Sequence, residues 1–285
     1  MDSSKLRTFR RGRYNQRMAT HPHARPPVLL APAGSLAAVE AALSAGADAV
    51  YIGVLGLSRG GRTGIPMEGI GAAAARCRAA GARLHAAVNA VPSSGDIPVF
   101  LSAVSRLAEE GVSEVILNDP GLIALVRGEF RDLPICASVG LSVANPQDAA
   151  ACRDLGADAV VLPSAVRSEE IPPIKTVSGL RIEVFAWCRA EFLLQGRCCL
   201  TGYASEGPGG GTASAKRGGG CRLVCRGLPV PRQPRSLEDE FPSWIRAGAD
   251  VFKIEGRDLP PEALKALVER LRGRLDAAIA LSAQG

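Results

Sequence analysis

The chain has 285 residues, of which 47% are hydrophobic and 4% aromatic, so it can bury one large core packed mainly by aliphatic side chains. It has no apolar N-terminal signal and no run of about 18 apolar residues, which predicts a cytoplasmic protein without a membrane span. The formal net charge of +6 comes entirely from residues 1–27, where seven Lys and Arg residues accompany one acid, Asp2. The rest of the chain is neutral overall.

Residues 1–27 form the first segment in chain order. They are polar, show no sustained apolar period and end in prolines, which predicts a disordered basic tail. Basic arms of this kind can bind RNA or another anionic surface. They can equally be solvated extensions, and composition does not separate the two readings.

A repeated pattern runs through the body of the chain. Six times, a short helical stretch ends at a glycine and leads into an apolar, β-branched run, at 44–54, 79–91, 109–119, 154–164, 177–187 and 246–256. The glycine supplies the left-handed turn that ends a helix, and the apolar run suits a parallel strand buried on both faces. Two further apolar segments, 28–34 and 133–142, bring the number of predicted strands to eight.

Predicted helices alternate with these strands. They are Leu36 to Ala45, Met67 to Ala79, Ile97 to Glu109, Gly121 to Phe130, Gln147 to Asp154, Glu169 to Thr176, a short helix around Trp244, and Pro261 to Ala280. Eight strand–helix units predict one α/β domain over 28–285, a single (β/α)8 TIM-like barrel. A doubly wound sheet is less consistent, because it normally has fewer units and a phosphate-binding glycine fingerprint.

A Cys-rich loop, residues 188–235, follows the predicted seventh strand. It holds five of the eight cysteines: Cys188, Cys198, Cys199, Cys221 and Cys225. The glycine-rich stretch 207–220 inside it is too flexible to pack by itself, which favours folding around a metal or an iron–sulfur cluster held by thiolates. Disulfides would need an oxidising compartment. The scattered Cys77, Cys136 and Cys152 are predicted to be small buried hydrophobes.

The ligand type and spacing bear on which metal is bound. Ligation by sulfur alone suits structural zinc or an iron–sulfur cluster. Cys221 and Cys225 are separated by three residues rather than the two of a zinc knuckle, which favours iron–sulfur, with zinc as the alternative. Basic residues without an intervening acid surround this pair: Lys216, Arg217, Arg222, Arg226, Arg232 and Arg235. Their charge would stabilise thiolates and attract an anionic substrate.

Function in such barrels concentrates at the carboxyl ends of the strands. The last predicted strand ends in the sequence FKIEGRD, where a lysine and an arginine suit a carboxylated or phosphorylated ligand. An ion-paired rim is the structural alternative. The candidate substrate-binding residues at strand ends are Lys253, Glu255, Arg257, Asn89 and Asp119.

Four motifs, LLAPAGS, GADAVYIG, EVFAW…GRCC…CRLVC and FKIEGRD, together resemble the collagenase-like peptidase family U32, from Val28 to about Leu281. The chain is most similar to the compact UbiU/UbiV type of ubiquinone-biosynthesis protein. The resemblance implies a [4Fe–4S] cluster and O2-independent hydroxylation of the aromatic ring of an isoprenoid-quinone precursor, with this chain as one subunit of a homologous pair. Other members hydroxylate tRNA or rRNA bases, which keeps RNA open as a partner, and prephenate is implicated as the oxygen source.

The resemblance also assigns metal ligands. Three cysteines match cluster-binding positions of the family: Cys198, Cys221 and Cys225. The fourth position of the relatives is occupied here by Leu57 or Glu191, so Cys188 or Cys199 must replace it or a non-cysteine ligand must complete the set. Cys188 is the favoured choice, because adjacent residues such as Cys198 and Cys199 seldom both reach one cluster.

Two observations separate this chain from characterised relatives. After the sixth strand many relatives carry an Arg-Glu pair, whereas this chain has Ser164 and Ala165. Peptidase activity, the third alternative, finds little support, because the sequence has neither HExxH nor G-x-S-x-G, and a serine triad would have to use His85, the only histidine of the body. Catalytic residues are therefore left unassigned.

Overall fold

The computed structural model describes residues 26–59, 63–189 and 234–282. Within these ranges eight parallel strands close into a barrel, as predicted, because each pairs with the next, β7 pairs with β9, and β9 returns to β1. The barrel strands are β1 Val28–Ala33, β2 Ala49–Gly53, β3 Arg83–Val88, β4 Glu114–Leu117, β5 Ile135–Ala137, β6 Ala159–Val161, β7 Arg181–Arg189 and β9 Val251–Ile254.

The α-helices of the described residues follow the barrel strands. They are α1 Leu36–Ser44, α2 Ile70–Ala79, α3 Ile97–Glu109, α4 Pro120–Glu129, α5 Pro146–Asp154, α6 Ile171–Ser178, α7 Phe241–Ala247 and α8 Pro261–Ser282. Glycine ends two of them as expected: Gly179 and Gly248 have φ values of 70° and 94° and follow α6 and α7. None of the described helices combines the length and apolar character needed to cross a bilayer.

A ninth strand, β8 Pro234–Ser236, was not predicted. It pairs antiparallel with the end of β7, with Cys188 opposite Arg235 and Arg189 opposite Pro234. Arg189 and Pro234, the described residues that flank 190–233, are therefore side by side at the carboxyl end of the barrel. Cys198, Cys199, Cys221 and Cys225 lie outside the described residues, as do the basic tail through Arg25 and the basic residues between 216 and 232.

The three scattered cysteines are buried, as the sequence predicted. Cys77, Cys136 and Cys152 are 1%, 0% and 6% exposed. Burial raises the pKa of Cys77 and of Cys152 to about 11, so both remain thiols near neutral pH. They are packing residues rather than metal ligands.

The lining of the barrel differs from the aliphatic layers usual in this fold. Side chains alternate along a strand, and Cα partners on neighbouring parallel strands point to the same side. Tyr51, His85 and Glu114 are such partners on β2, β3 and β4. Glu183 on β7 is the partner of Val251, which stands two residues before Lys253 on β9. Polar and charged side chains therefore line the barrel interior.

Candidate active site at the barrel mouth

The amino-terminal half of the interior contains a buried carboxylate with two basic neighbours. Glu114 is 2% exposed, and its Oε1 lies 3.1 Å from His85 Nδ1. Its other oxygen accepts a hydrogen bond from the guanidinium of Arg181. Burial acts to raise the pKa of Glu114, but His85 and Arg181 outweigh it and lower that pKa to about 2. Glu114 is therefore ionised at neutral pH.

A second buried ion pair lies above it. Lys253 Nζ donates to Glu183 Oε2 at 3.1 Å, and their side chains are 7% and 0% exposed. Burial acts to lower the pKa of Lys253, yet the attraction of Glu183 leaves that pKa raised. The ammonium also lies 4.7 Å from the ring centroid of Tyr51. Lys253, a predicted substrate-binding residue, is thus engaged inside the barrel.

Ligand atoms of His85, Glu114 and Glu183 come within 4.8 Å of one another, which is close enough to raise the question of a metal ion. The charge balance of the three side chains and their neighbours argues against a bound metal ion. Both carboxylates already have a cationic partner, Arg181 and Lys253 respectively, so a divalent ion would add two uncompensated charges in a buried place. We therefore interpret this trio as part of an ion-pair network.

The mouth of the barrel is the end at which the carboxyl ends of the parallel strands lie. Two glycines there, after β1 and at the end of β2, make room for an arginine. A Cβ on Gly53 would lie 1.8 Å from Arg257 Nη1 and 2.5 Å from Ser58 Oγ. A Cβ on Gly34 would lie 2.0 Å from the backbone oxygen of Arg257. A side chain at either position would collide with Arg257, so glycine at both positions permits the close approach of Arg257.

Arg257 has no counter-ion among the described residues. Its Nη1 atom is buried with no hydrogen-bond partner in the described part of the chain, and the same is true of the hydroxyl of the fully buried Ser58. Burial lowers the pKa of Arg257, opposed by Tyr51, Glu255 and Asp258, but a guanidinium stays protonated near neutral pH. Neither acid forms an ion pair with it, and Asp258 instead pairs with Arg189 at 2.9 Å. The mouth therefore contains a partly buried cation, with one buried nitrogen, that suits an anionic ligand.

Amide and hydroxyl groups occupy the opposite side of the mouth, at the ends of β3, β4 and β5. Asn89 Oδ1 accepts from the backbone N–H of Arg59 at 3.0 Å, and its Nδ2 lies 3.5 Å from Ser138 Oγ. Asn118 is 7% exposed, and its Oδ1 is buried with no hydrogen-bond partner in the ranges that the structure describes. The alternation of His85 and Ala87 with Asn89, and of Glu114 and Ile116 with Asn118, directs both amides to the interior side of the barrel.

The remaining predicted residues have local structural contacts. Asp119 is the N-cap of α4, where its carboxylate accepts a hydrogen bond from the backbone N–H of Leu122 at 2.7 Å. Glu255, partly buried, accepts from the backbone N–H of Arg189 at 2.9 Å and so links the ends of β9 and β7. Of the five candidates, Arg257 and Asn89 are the two that present polar groups to the mouth.

Cys188 lies at the end of β7, the strand that pairs with β9. Phe185 pairs with Lys253 and Trp187 with Ile254, so Ala186 is an extra residue that forms a bulge. A one-residue bulge exchanges the two faces of the strand beyond it. Cys188, which is fully buried, is thereby placed on the interior side with Glu183. The other three predicted ligands, Cys198, Cys221 and Cys225, fall outside the described residues.

Comparison with known proteins gives the family. The model of peptidase family U32 matches residues 34–228. The tRNA hydroxylation protein P of Escherichia coli is 32% identical over 203 residues, which cover 70% of this chain and 43% of that protein. The collagenase of Porphyromonas gingivalis is 26% identical over 264 residues, covering 82% and 62%. The 23S rRNA 5-hydroxycytidine C2501 synthase of E. coli is 25% identical over 268 residues, covering 88% and 39%.

The chain spans less than two thirds of the length of each of these relatives. Among solved structures, the U32 peptidase Mk0906 superposes with a TM-score of 0.58 at 16% identity and covers 85% of this chain and 99% of that one, which supports the barrel fold. The family match extends over more than half of the sequence, from Gly34 at the mouth to residue 228 in the Cys-rich loop. This chain is a member of peptidase family U32, a family that includes proteins of RNA hydroxylation.

Proposed function

We propose that this chain is the cluster-binding catalytic unit of an oxygen-independent hydroxylase that adds a hydroxyl group to a pyrimidine base of RNA. The observation that carries the proposal is the guanidinium of Arg257, which has no counter-ion among the described residues and whose Nη1 is buried without a described partner. Arg257 follows β9, the strand that pairs with β7. An anionic co-substrate bound by Arg257 would lie at the same end of the barrel as Cys188, which is at the end of β7.

The residues that would hold the cluster are Cys188, Cys198, Cys221 and Cys225. The described part of this set fits, because Cys188 is buried on the interior side of the barrel and pairs with Arg235, the described residues Arg189 and Pro234 being paired next to it. A [4Fe–4S] cluster bound there would supply electron transfer, whereas the alternative, zinc, would not. The basic residues of the loop would stabilise the thiolates.

The oxygen atom must come from a donor when O2 is not used. The balanced exchange is R–H + X–OH → R–OH + X–H, where R is the base and X–OH is a hydroxylated carboxylate, for which prephenate is the choice that the family suggests. Arg257 would bind the carboxylate of the donor through its guanidinium, and Ser58 would add a hydroxyl hydrogen bond. The paired Lys253 below would stabilise the bound anion from inside the barrel.

Support for an RNA substrate comes from the relatives. Two of the three described above act on RNA by their names, one of them on a cytidine. The basic residues of the Cys-rich loop suit a phosphate backbone. The ring of a quinone precursor and a paired homologous subunit, both expected from the UbiU/UbiV resemblance, have no comparable support here and serve as alternatives for the assay.

The collagenase relative does not favour peptidase activity for this chain. The only histidine of the body, His85, is 1% exposed and lies beside Glu114 in the ion-pair network of the barrel interior. It therefore cannot act as a general base toward a peptide at the mouth.

The cluster is tested by iron and sulfide analysis of anaerobically purified protein carrying single Cys→Ser changes at 188, 198, 221 and 225. We expect about four irons per wild-type chain, as a [4Fe–4S] cluster requires, and loss of most iron in each variant. Cys152→Ser, a buried cysteine on α5, is the matched control and should keep full iron. Full iron in both the Cys221→Ser and Cys225→Ser proteins, or zinc in place of iron, would refute the proposed cluster.

A further inference from the structure

The side chain of Asn118 is a buried amide without a hydrogen-bond partner among the described residues. It is 7% exposed, its Oδ1 is inaccessible to solvent, and no described group bonds either atom of the amide. Native proteins rarely leave such a group unpaired, so a buried amide in this state calls for a partner. Because Asn118 directly follows β4 at the barrel mouth, that partner can be a bound ligand.

The surroundings make room for this amide. A Cβ on Gly140 would lie 1.9 Å from Asn118 Oδ1, so only glycine permits the observed position. Asn89 and Ser138 stand at the ends of the two adjacent strands, and their mutual contact of 3.5 Å is weak. Below these three polar groups the interior positions are apolar: Ala87, Ile116 and Cys136 are each at most 2% exposed.

We propose that Asn118, assisted by Asn89, recognises the hydrogen-bonding edge of the acceptor pyrimidine. A primary amide offers one acceptor and one donor group in either orientation. It is therefore complementary to the neighbouring N–H and carbonyl groups of a uracil, or to the amino group and ring nitrogen of a cytosine. The apolar floor suits the flat ring above it. This inference rests on the proposed function, since it states how the acceptor base is held.

The same chemistry argues against a quinone-type ring in this place. A benzenoid ring has no ring N–H beside a carbonyl, so it would leave part of the Asn118 amide unpaired. Sites built to hydrogen-bond a substrate reject analogues that lack the matching group. Asn118 would thus be a specificity-determining residue, whereas Arg257 on the opposite side binds the anionic donor.

The experiment compares nucleotides that differ by one hydrogen-bond donor. Uridine 5′-monophosphate is titrated against 3-methyluridine 5′-monophosphate, and cytidine 5′-monophosphate against its N4,N4-dimethyl analogue, with the full cluster-containing chain under anaerobic conditions. We expect wild-type protein to bind the methylated partner at least about tenfold more weakly in one of the pairs. Asn118→Ala and Asn118→Leu should bind both members of that pair equally.

Two further variants make the outcome decisive. Gly140→Ala, whose Cβ would displace the amide, should lose the same discrimination, while Asn145→Ser, which retains the exposed N-cap of α5, should keep it. Thermal unfolding of each variant identifies any that fail to fold. Equal binding of both members by wild-type protein in both pairs, or no binding at all, would overturn the inference, and so would unchanged discrimination in a folded Asn118→Ala. An ordered water paired with Asn118 would give that last result.

Failure of this inference can be told apart from failure of the proposed function. Ribose 5-phosphate carries the phosphate without a base, and Asn118→Ala should bind it as wild type does. Iron content is measured in the same samples. Full iron without base discrimination would overturn the role of Asn118 alone, whereas base discrimination in protein that retains no iron would refute the cluster and leave Asn118 in place.

Discussion

The two ends of the barrel interior treat buried polar groups differently. Toward the amino-terminal end, Glu114 has Arg181 and His85, and Glu183 has Lys253, so two acids and two strong bases balance. At the mouth, Arg257 Nη1, Ser58 Oγ and Asn118 Oδ1 are buried without a described hydrogen-bond partner. His85 Nδ1, Glu114 Oε1 and Glu183 Oε1 of the amino-terminal network also lack a described hydrogen-bond partner, but both carboxylates there have a cationic neighbour. Compensated charges hold the barrel together, whereas mouth groups with neither a described hydrogen bond nor a described ion pair indicate where a ligand binds.

Removing one member of a pair in the lower network should have the largest effect. Lys253→Met leaves the fully buried Glu183 without its cation, so we expect the free energy of unfolding to fall by about 3–5 kcal/mol. Urea denaturation measures this loss. The double variant Lys253→Met/Glu183→Leu should recover much of it, because no lone charge remains. A single variant as stable as wild type would show that the pair is not structural.

Acid should weaken the same network. The folded-state pKa of Glu114 is about 2, below the ordinary value of 4.5, so its stabilising contribution is present above pH 4.5 and is lost as the pH falls toward 2. We expect a loss of about 3 kcal/mol across this window, measured by urea unfolding at a series of pH values. Glu114→Gln should flatten the profile, whereas Glu129→Gln, an exposed acid on α4, should not. A wild-type profile that is already flat would contradict the ionised pair.

A substitution at the barrel mouth should have the opposite effect, with little loss of stability and a large loss of ligand binding. Arg257→Met removes a partly buried charge that has no described counter-ion, so stability should be unchanged or slightly higher. Binding of prephenate should weaken by about 100-fold, equivalent to about 2.7 kcal/mol, measured by calorimetry. Arg246→Met, an exposed arginine on α7, is the control. A strongly destabilised Arg257→Met protein with normal prephenate affinity would show that Arg257 is structural. The mouth would then not differ from the amino-terminal end of the barrel interior.

A smaller effect should come from the glycine that admits Arg257. In Gly53→Ala the new Cβ would lie 1.8 Å from Nη1, so the guanidinium must move and prephenate binding should weaken by about tenfold. Gly273→Ala on α8 meets nothing within 4 Å and should leave binding unchanged while stabilising the helix by up to about 1 kcal/mol. Normal binding by Gly53→Ala would show that this close approach does not position Arg257.

The fold could be predicted because its signals are local. Each strand and helix has its own apolar period and glycine stop, and the sequence placed all eight barrel strands within a few residues of their positions. Strand β8 was missed, since three exposed residues have no apolar pattern of their own and are defined only by pairing with β7. The bulge at Ala186, which redirects Cys188, likewise depends on the partner strand.

The site was predicted less completely, because the role of each of its residues depends on contacts with residues that are distant in sequence. The strand-end rule found Arg257 and Asn89, but it could not show that Lys253 pairs with Glu183, 70 residues away in sequence. The importance of Ser58 and Asn118 arises from their lack of a described partner, a property of the folded chain. The capping role of Asp119 does have a local signal, because an aspartate directly before a proline at a helix start is typical of an N-cap.

The most direct test is an oxygen-free assay in which the cluster-containing chain and prephenate are incubated with total RNA, whose nucleosides are then separated and weighed by mass spectrometry. The account predicts a pyrimidine nucleoside that has gained one oxygen atom, and loss of this product in Cys221→Ser and Arg257→Met. Unmodified RNA together with a hydroxylated quinone precursor in a parallel reaction, or RNA hydroxylation that survives Cys221→Ser, would contradict it.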